Sequence, residues 1–219
     1  MNKRGKDAEK SVYKKIKQAI ITKKYTSNSQ LVESTLAEEL KVSRTPIRSA
    51  LKKLSYEGLV NIIPNKGAFV AQTTIEEYID LYSSRELLEK ESARIAAKNI
   101  SLNELENLKQ LLEEEKESYN ERNLERFIEV NNEIHMTIAK SCRNQYFIKF
   151  IEELVTKSTI YLILYDEFHT RPLEELNSVI EHKEIYEALK NRNPDKSAEV
   201  MSLHIKSIFE NLGITKIRL

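Results

Sequence analysis

Residues 43–51 read Ser43-Arg44-Thr45-Pro46-Ile47-Arg48-Ser49-Ala50-Leu51, and this stretch decides the fold of the first third of the chain. Ser43 is a favourable helix N-cap, and Pro46 fits a first helical turn, where a missing N–H costs no intrahelical bond. From there Ile47, Leu51 and Leu54 share one helical face, while Arg44, Arg48 and Lys52 recur at i, i+4 and i+8 on another. Just upstream, Leu36 to Leu40 predicts a short helix and Lys41-Val42 a tight turn. Two short helices, the second opened by a Ser-Arg-Thr cluster, are the layout of a helix-turn-helix, whose second helix enters the major groove of DNA. Downstream, Gly58 to Ile63, the turn Pro64-Asn65-Lys66-Gly67, and Ala68-Phe69-Val70 predict a hairpin wing. Ser43, Arg44, Thr45 and Arg48 are then expected nearest the bases, with Lys52 nearer phosphate. Lys66 and Gly67 would meet the minor groove or backbone, where a glycine does not obstruct close approach.

The rest of the composition fits a two-part chain. Its 219 residues have room for one large or two small domains. The net charge of +1 hides an asymmetry: residues 1–74 hold 15 Lys and Arg against 6 Asp and Glu, whereas residues 75–219 hold 20 against 28. A basic first third joined to an acidic remainder points to a polyanion-binding domain attached to a domain of another kind. Gly58, Pro64 and Gly67 fall in the wing, and the chain beyond residue 74 is nearly free of helix breakers, which predicts long helices. A single cysteine, Cys142, excludes an intramolecular disulfide. With no signal peptide and no bilayer-length apolar run, the expected location is the cytoplasm, away from membranes.

Along the chain, residues 1–9 carry Lys3, Arg4 and Lys6 without apolar periodicity and are expected to form a disordered arm. Ser11 to about Lys24 predicts an amphipathic helix with Val12, Ile16, Ala19 and Ile20 inward. Ala71 to Thr74 is the expected linker between a DNA-binding domain (residues 1–74) and an all-α bundle (residues 75–219). In the bundle the expected helices are Ile75–Asn99, one opened by the capping box Ser101-Leu102-Asn103-Glu104, and others near 123–142, 144–165, 173–191 and 194–212. No strand pattern is visible there, so the fold class is mostly α: a winged helix-turn-helix followed by about six helices.

Three of the four histidines fall on apolar helical stripes. His135 aligns with Ile128 and Ile138, His182 with Val179, Tyr186 and Leu189, and His204 with Val200, Met201 and Ile208. Asn131 precedes His135 by one turn, and His169 falls in a loop, where it reads as a surface residue. Two readings stay open: separately hydrogen-bonded core histidines, or a centre for a divalent metal such as Zn or Ni, for which neutral imidazole is a common ligand.

The N-terminal block resembles the winged helix of the GntR family of bacterial transcription regulators. The resemblance rests on Leu31, Glu33, Leu36, Ala37, Val42 to Pro46, Arg48, Ala50, Leu51 and Gly58 to Val60. Ser34 and Ser49 depart from it, standing where relatives carry an arginine and a glutamate. The C-terminal part resembles the FCD effector domain of the FadR-like branch, through Arg85-x-x-x-Glu89, Ile134-His135, Glu181-His182, His204 and Arg143-Asn144. The resemblance implies a homodimer on a near-palindromic double-stranded DNA operator, with operator affinity set by a small carboxylate effector. It also implies a divalent metal held by Asn131, His135, His182 and His204, with Arg85 as an effector contact; an i,i+4 ion pair to Glu89 is the other role open to Arg85.

Asn131 stands where the family has an aspartate. A neutral amide there is expected to weaken metal binding and leave the ion's charge uncompensated, so that the site would demand an anionic effector. Two rival functions follow from the same residues. The first is a DNA-binding protein whose bundle only dimerises. The second is a metal hydrolase, disfavoured because neither inward Asn is a base and Glu181 is expected to point off the histidine stripe.

Overall fold

A computed structural model describes the backbone of residues 3–165 and 177–211, which divide into two units. The first comprises Met1–Thr74 with Ile160–Leu164, and the second Ile75–Thr159 with Tyr165–Leu219.

The first unit opens with helix α1 (Lys3–Ile21), which buries Val12, Ile16, Ile20 and Ile21. The expected disordered arm at residues 1–9 is therefore helical from Lys3 onward. Lys, Arg, Ala and Glu are good helix formers, and extending a helix already anchored at Val12 fixes one residue per added bond, so no apolar stripe is needed. The helix ends earlier than expected, since Lys23 takes a left-handed backbone conformation (φ 59°). A two-residue strand that the sequence reading missed, β1 (Gln30–Leu31), precedes α2 (Glu33–Leu40). Lys41, at φ 54°, closes α2 with its N–H bonded back to the carbonyls of Ala37 and Glu38.

Ser43 is the N-cap of α3 (Arg44–Tyr56), in extended conformation but without a side-chain capping bond. Ile47, Leu51 and Leu54 are fully or almost fully buried, as the periodicity predicts, and Ala50 is buried beside them. The wing follows as β2 (Val60–Ile63) and β3 (Gly67–Val70). Strand order is β1-β3-β2, all antiparallel, with Val60 opposite Val70 and Ile63 opposite Gly67. Gly67 has φ +103°, a conformation that favours glycine, and the carbonyl of the adjacent Lys66 accepts from Gln30 Nε2 at 3.0 Å. The wing tip is thereby tied to β1. Ala71 is buried and donates to the Leu59 carbonyl at 2.9 Å, so it belongs to this unit rather than to a free linker.

The second unit is a bundle of α4 (Ile75–Asn99), α5 (Leu102–Asn120), α6 (Leu124–Ser141), α7 (Gln145–Tyr165, apart from Ile160–Leu164, which go with the first unit), α8 (Asn177–Lys190) and α9 (Pro194–Asn211). The expected start of α8 near Leu173, and His169, lie outside the described residues. Helix α4 packs against α9, α6 and α8, and α5 against α6 and α8. Ala93, Ala96 and Ala97 on α4 are wholly buried; side chains this small let neighbouring backbones approach closely. Ile151 and Val155 of α7 pack on Ala139 of α6, with Leu88, Met136 and Phe147 around them.

Helix ends are closed by specific bonds. Ser101 and Glu104 form the expected capping box: Ser101 Oγ accepts from the Glu104 N–H, and Glu104 Oε2 accepts from the Ser101 N–H at 2.8 Å. Arg192 Nη2 donates to the Ile100 carbonyl at 2.8 Å, where the chain leaves α4. Asn193 Oδ1 accepts from the Lys196 N–H at 3.0 Å, and α9 begins at Pro194, as expected. Ser101→Ala is expected to lower the unfolding free energy by about 1 kcal/mol. A Ser101→Ala, Glu104→Ala double variant is expected to lose less than the two single losses added together. Urea denaturation followed by circular dichroism checks both; strict additivity would contradict the reciprocal cap.

Candidate functional site: a three-histidine centre and an exposed basic helix

Five helices of the second unit contribute buried or partly buried polar side chains to its interior. Helix α4 brings Arg85 and Glu89, α5 brings Glu115, α6 brings Asn131 and His135, α8 brings Glu181 and His182, and α9 brings His204. His135, His182 and His204 are 2 %, 1 % and 1 % exposed, so none of the three rings is hydrated from outside. His182 Nε2 lies 3.2 Å from His204 Nε2, which in turn lies 3.4 Å from His135 Nε2. The sequence reading of three stripes converging inside the bundle corresponds to this cluster.

Each ring is backed by a carboxylate on its other nitrogen. His135 Nδ1 is 2.5 Å from Glu89 Oε2, His182 Nδ1 is 2.8 Å and 3.0 Å from the two oxygens of Glu115, and His204 Nδ1 is 2.8 Å from Glu181 Oε2. A carboxylate accepts, so Nδ1 donates and carries the proton in each ring. Nε2 is then a bare lone pair in all three, and the short Nε2···Nε2 contacts cannot be hydrogen bonds between neutral rings. Three lone pairs facing one another repel unless a cation lies between them. Carboxylate–imidazole–metal is the arrangement that fixes a ligand's tautomer and raises its basicity. The three side chains each offer a donor atom within 4.8 Å of the others, and imidazole nitrogen suits Zn or Ni. The donor set fits a divalent metal.

The electrostatics favour the neutral ring at His135 and at His204. Burial pushes His135 below its ordinary value, more than Glu89 raises it, and burial together with the other two rings pushes His204 well below. Burial alone would raise the Glu89 carboxyl, but the Arg85 charge and the bonds from His135 and Arg85 outweigh it and hold Glu89 at about 2. Arg85 Nε donates to Glu89 Oε1 at 2.6 Å and Nη1 to Ser158 Oγ at 3.0 Å. The Glu89 ion pair expected as one of its two roles is thus formed. Its Nη2 is buried with no hydrogen-bond partner among the described residues.

Asn131 is buried one turn before His135, and its Nδ2 donates to Asn132 Oδ1 at 3.4 Å. One expectation about charge needs correcting. The rings are surrounded by three carboxylates, so a divalent ion would not be left uncompensated by the loss of an aspartate at position 131. Glu181 lies off the histidine stripe of α8. Neighbouring helical residues differ by about 100° in direction, and α9 packs on that side of α8, so Glu181 meets His204 Nδ1, on the ring edge away from the three Nε2 atoms. Glu115 escaped the sequence reading because it sits in the run Glu113-Glu114-Glu115, which looks like a solvated face. The signal was its phase: Leu108, Leu111, Glu115 and Tyr119 form one buried stripe.

In the first unit, Ser43, Arg44, Thr45, Arg48 and Lys52 are all exposed on α3, and Lys66 and Gly67 are exposed at the wing tip. Arg48 Nε donates to Glu33 Oε2 of α2 at 2.6 Å. Exposed pairs of this kind contribute little to stability, so Arg48 can exchange Glu33 for another acceptor at low cost.

Comparison with known proteins follows the same division. Residues 8–70 match the family described as bacterial regulatory proteins, gntR family, and residues 80–207 match the FCD domain. The transcriptional repressor RspR of Escherichia coli K12 is 27% identical over 202 residues, spanning 92% of this chain and 87% of that protein. The Nta operon transcriptional regulator of Aminobacter aminovorans is 28% identical over 188 residues, 86% of each chain. The gluconate operon transcriptional repressor of Bacillus licheniformis is 28% identical over 200 residues, 90% of this chain and 78% of that one. Among solved structures, E. coli McbR/YncC shares the fold with a TM-score of 0.65 at 20% identity, covering 94% of this chain and 97% of that one. RspR, the Nta operon regulator and the gluconate operon repressor are transcription regulators, not enzymes. With a gntR-type winged helix matched over residues 8–70 and an FCD domain over most of the remainder, this chain belongs to the GntR family of bacterial transcription regulators, in the branch that carries an FCD effector domain.

Proposed function

We propose that the protein binds a near-palindromic operator as a homodimer, and that a small carboxylate in the FCD bundle, bound with the help of a divalent metal, sets its operator affinity. The observation that carries the sensing half is the trio of inward Nε2 atoms, each with its outer nitrogen bonded to a carboxylate. His135, His182 and His204 would hold the metal with the amide oxygen of Asn131. The ion would supply a Lewis-acid pole for a carboxylate oxygen. Arg85, whose Nη2 has no hydrogen-bond partner among the described residues, would offer a second, directional donor to the same acid. The gluconate operon repressor among the relatives is named for the operon of a small carboxylate.

For the reading half, α3 would lie in the major groove. Arg44 and Arg48 lie one turn apart on its exposed face, and an arginine bidentate to guanine contributes about 1–3 kcal/mol of discrimination. One such module reads few bases, and two-fold pairing doubles the site, with half-sites about one helical turn or a multiple of it apart. The lysine at the wing tip would add phosphate contact.

Arg44→Ala or Arg48→Ala is expected to abolish sequence-specific binding, with helicity and melting temperature unchanged. Lys52→Ala is expected to weaken all DNA sequences alike and lower the salt slope by about one. Unchanged operator affinity in a gel-shift titration of either arginine variant would contradict the assignment.

The coupling has its own test. Metal-loaded protein is titrated with gluconate and a series of mono-, di- and tricarboxylates, with and without operator. An acid that changes operator affinity by some factor must have its own affinity changed by operator through the same factor. If no acid shifts operator affinity, the bundle serves for dimerisation alone.

A further inference from the structure

We propose that Glu115 supplies the negative charge that position 131 lacks, acting through His182 as a positioning residue of the metal centre, so that the ion is loaded without help from an acidic effector. This rests on the reading of the histidine cluster as a divalent-metal site.

Glu115 is 0 % exposed, and both of its oxygens face His182 Nδ1. Among the described residues it has no Lys or Arg in ion-pair contact; its single charged-type partner is that imidazole. The other two carboxylates are placed differently. Glu89 is paired with Arg85 as well as His135. Glu181 is 20% exposed and also accepts from Ser207 Oγ at 2.9 Å. A carboxylate wholly out of water with no cation beside it is strongly unfavourable unless a charge elsewhere in the same buried network compensates it. The far nitrogen of the same ring points at the other two Nε2 atoms, so an ion there is one imidazole away from Glu115.

The buried charges need no acid at position 131. Arg85 pairs with Glu89, and the wholly buried Glu115 carboxylate is left to be offset by an ion among the rings. A neutral Asn131 is tolerated for that reason. An acid arriving later meets a centre that already holds its metal.

The test uses full-length protein stripped of metal by chelator and titrated with Co2+ in buffer free of carboxylic acids. Calorimetry and the visible ligand-field absorption of the bound ion give two independent readouts. Wild-type protein is expected to bind Co2+ without any acid present. Glu115→Gln keeps the shape and an acceptor oxygen but loses the charge, and is expected to weaken Co2+ binding by about 10- to 100-fold. Glu115→Asp keeps the charge and loses reach, and is expected to stay within several-fold of wild type. A packing role alone would give the opposite order, because the isosteric amide would be the milder change. Adding Asn131→Asp is expected to recover affinity more in the Glu115→Gln background than in wild type, since only there is a charge missing.

Co2+ affinity of Glu115→Gln equal to wild type, or Glu115→Asp weaker than Glu115→Gln, would overturn the proposal while leaving the metal site in place. Where Glu115→Gln does not fold, Glu115→Asp decides alone: a loss beyond tenfold overturns it. Wild-type protein that binds no Co2+ would remove both the proposal and the metal reading beneath it.

Discussion

Three imidazoles can be set with their Nε2 atoms in contact inside a protein only if something fixes the proton of each ring on the outer nitrogen. Here that constraint is met by Glu89, Glu115 and Glu181, each from a helix other than the one that carries its histidine. The consequence is a knot of side chains that ties α4 to α6, α5 to α8 and α8 to α9 through buried polar bonds. Such bonds require every partner to be present, because a lone buried carboxylate or an unpaired imidazole is unfavourable. The bundle's geometry and the chemistry at its centre are therefore the same fact seen at two scales.

The first unit obeys a simpler rule. Helix α3 has one face for the core and one for the outside, and the residues at i, i+4 and i+8 on the outer face are cationic. Ile47, Leu51 and Leu54 anchor the helix against α1 and the rest of the unit, while Arg44, Arg48 and Lys52 stay in solvent. Tyr13 of α1 donates its hydroxyl to Glu57, just past the end of α3, at 2.7 Å, which fixes the helix axis from its far end. The glycine at the wing tip and its bonded neighbour hold the hairpin in place. The exposed cations thus sit on a rigid platform, as a groove-reading surface needs.

Much of this was legible in the residues themselves. The period of Ile47, Leu51 and Leu54, Ser101 three residues before Glu104, and Pro194 at a first-turn position each carry a local physical signal, and the elements they mark are present. The misses have equally specific causes. Gln30-Leu31 is too short for a two-residue alternation to register, so β1 was invisible. Helicity from Lys3 depends on propensity and on the anchored turn beyond it, not on an apolar stripe. Glu115 was hidden by its acidic neighbours, and the bond of Glu181 to His204 was out of reach because the direction of a side chain says nothing about which helix packs on that side. Those two glutamates are what reversed the charge argument built on Asn131: a pair of residues far apart in sequence supplies what a neighbour in sequence lacks.

The measurement that bears most directly on the centre is a crystal structure of protein purified without chelator, with diffraction data collected on either side of the Zn and Ni absorption edges. A single anomalous peak is expected, bonded to Nε2 of His135, His182 and His204, with all three Nδ1 atoms still on their carboxylates. Rings turned so that Nδ1 faces inward, or a centre filled by water with no anomalous signal after growth in added Zn and Ni, would contradict it.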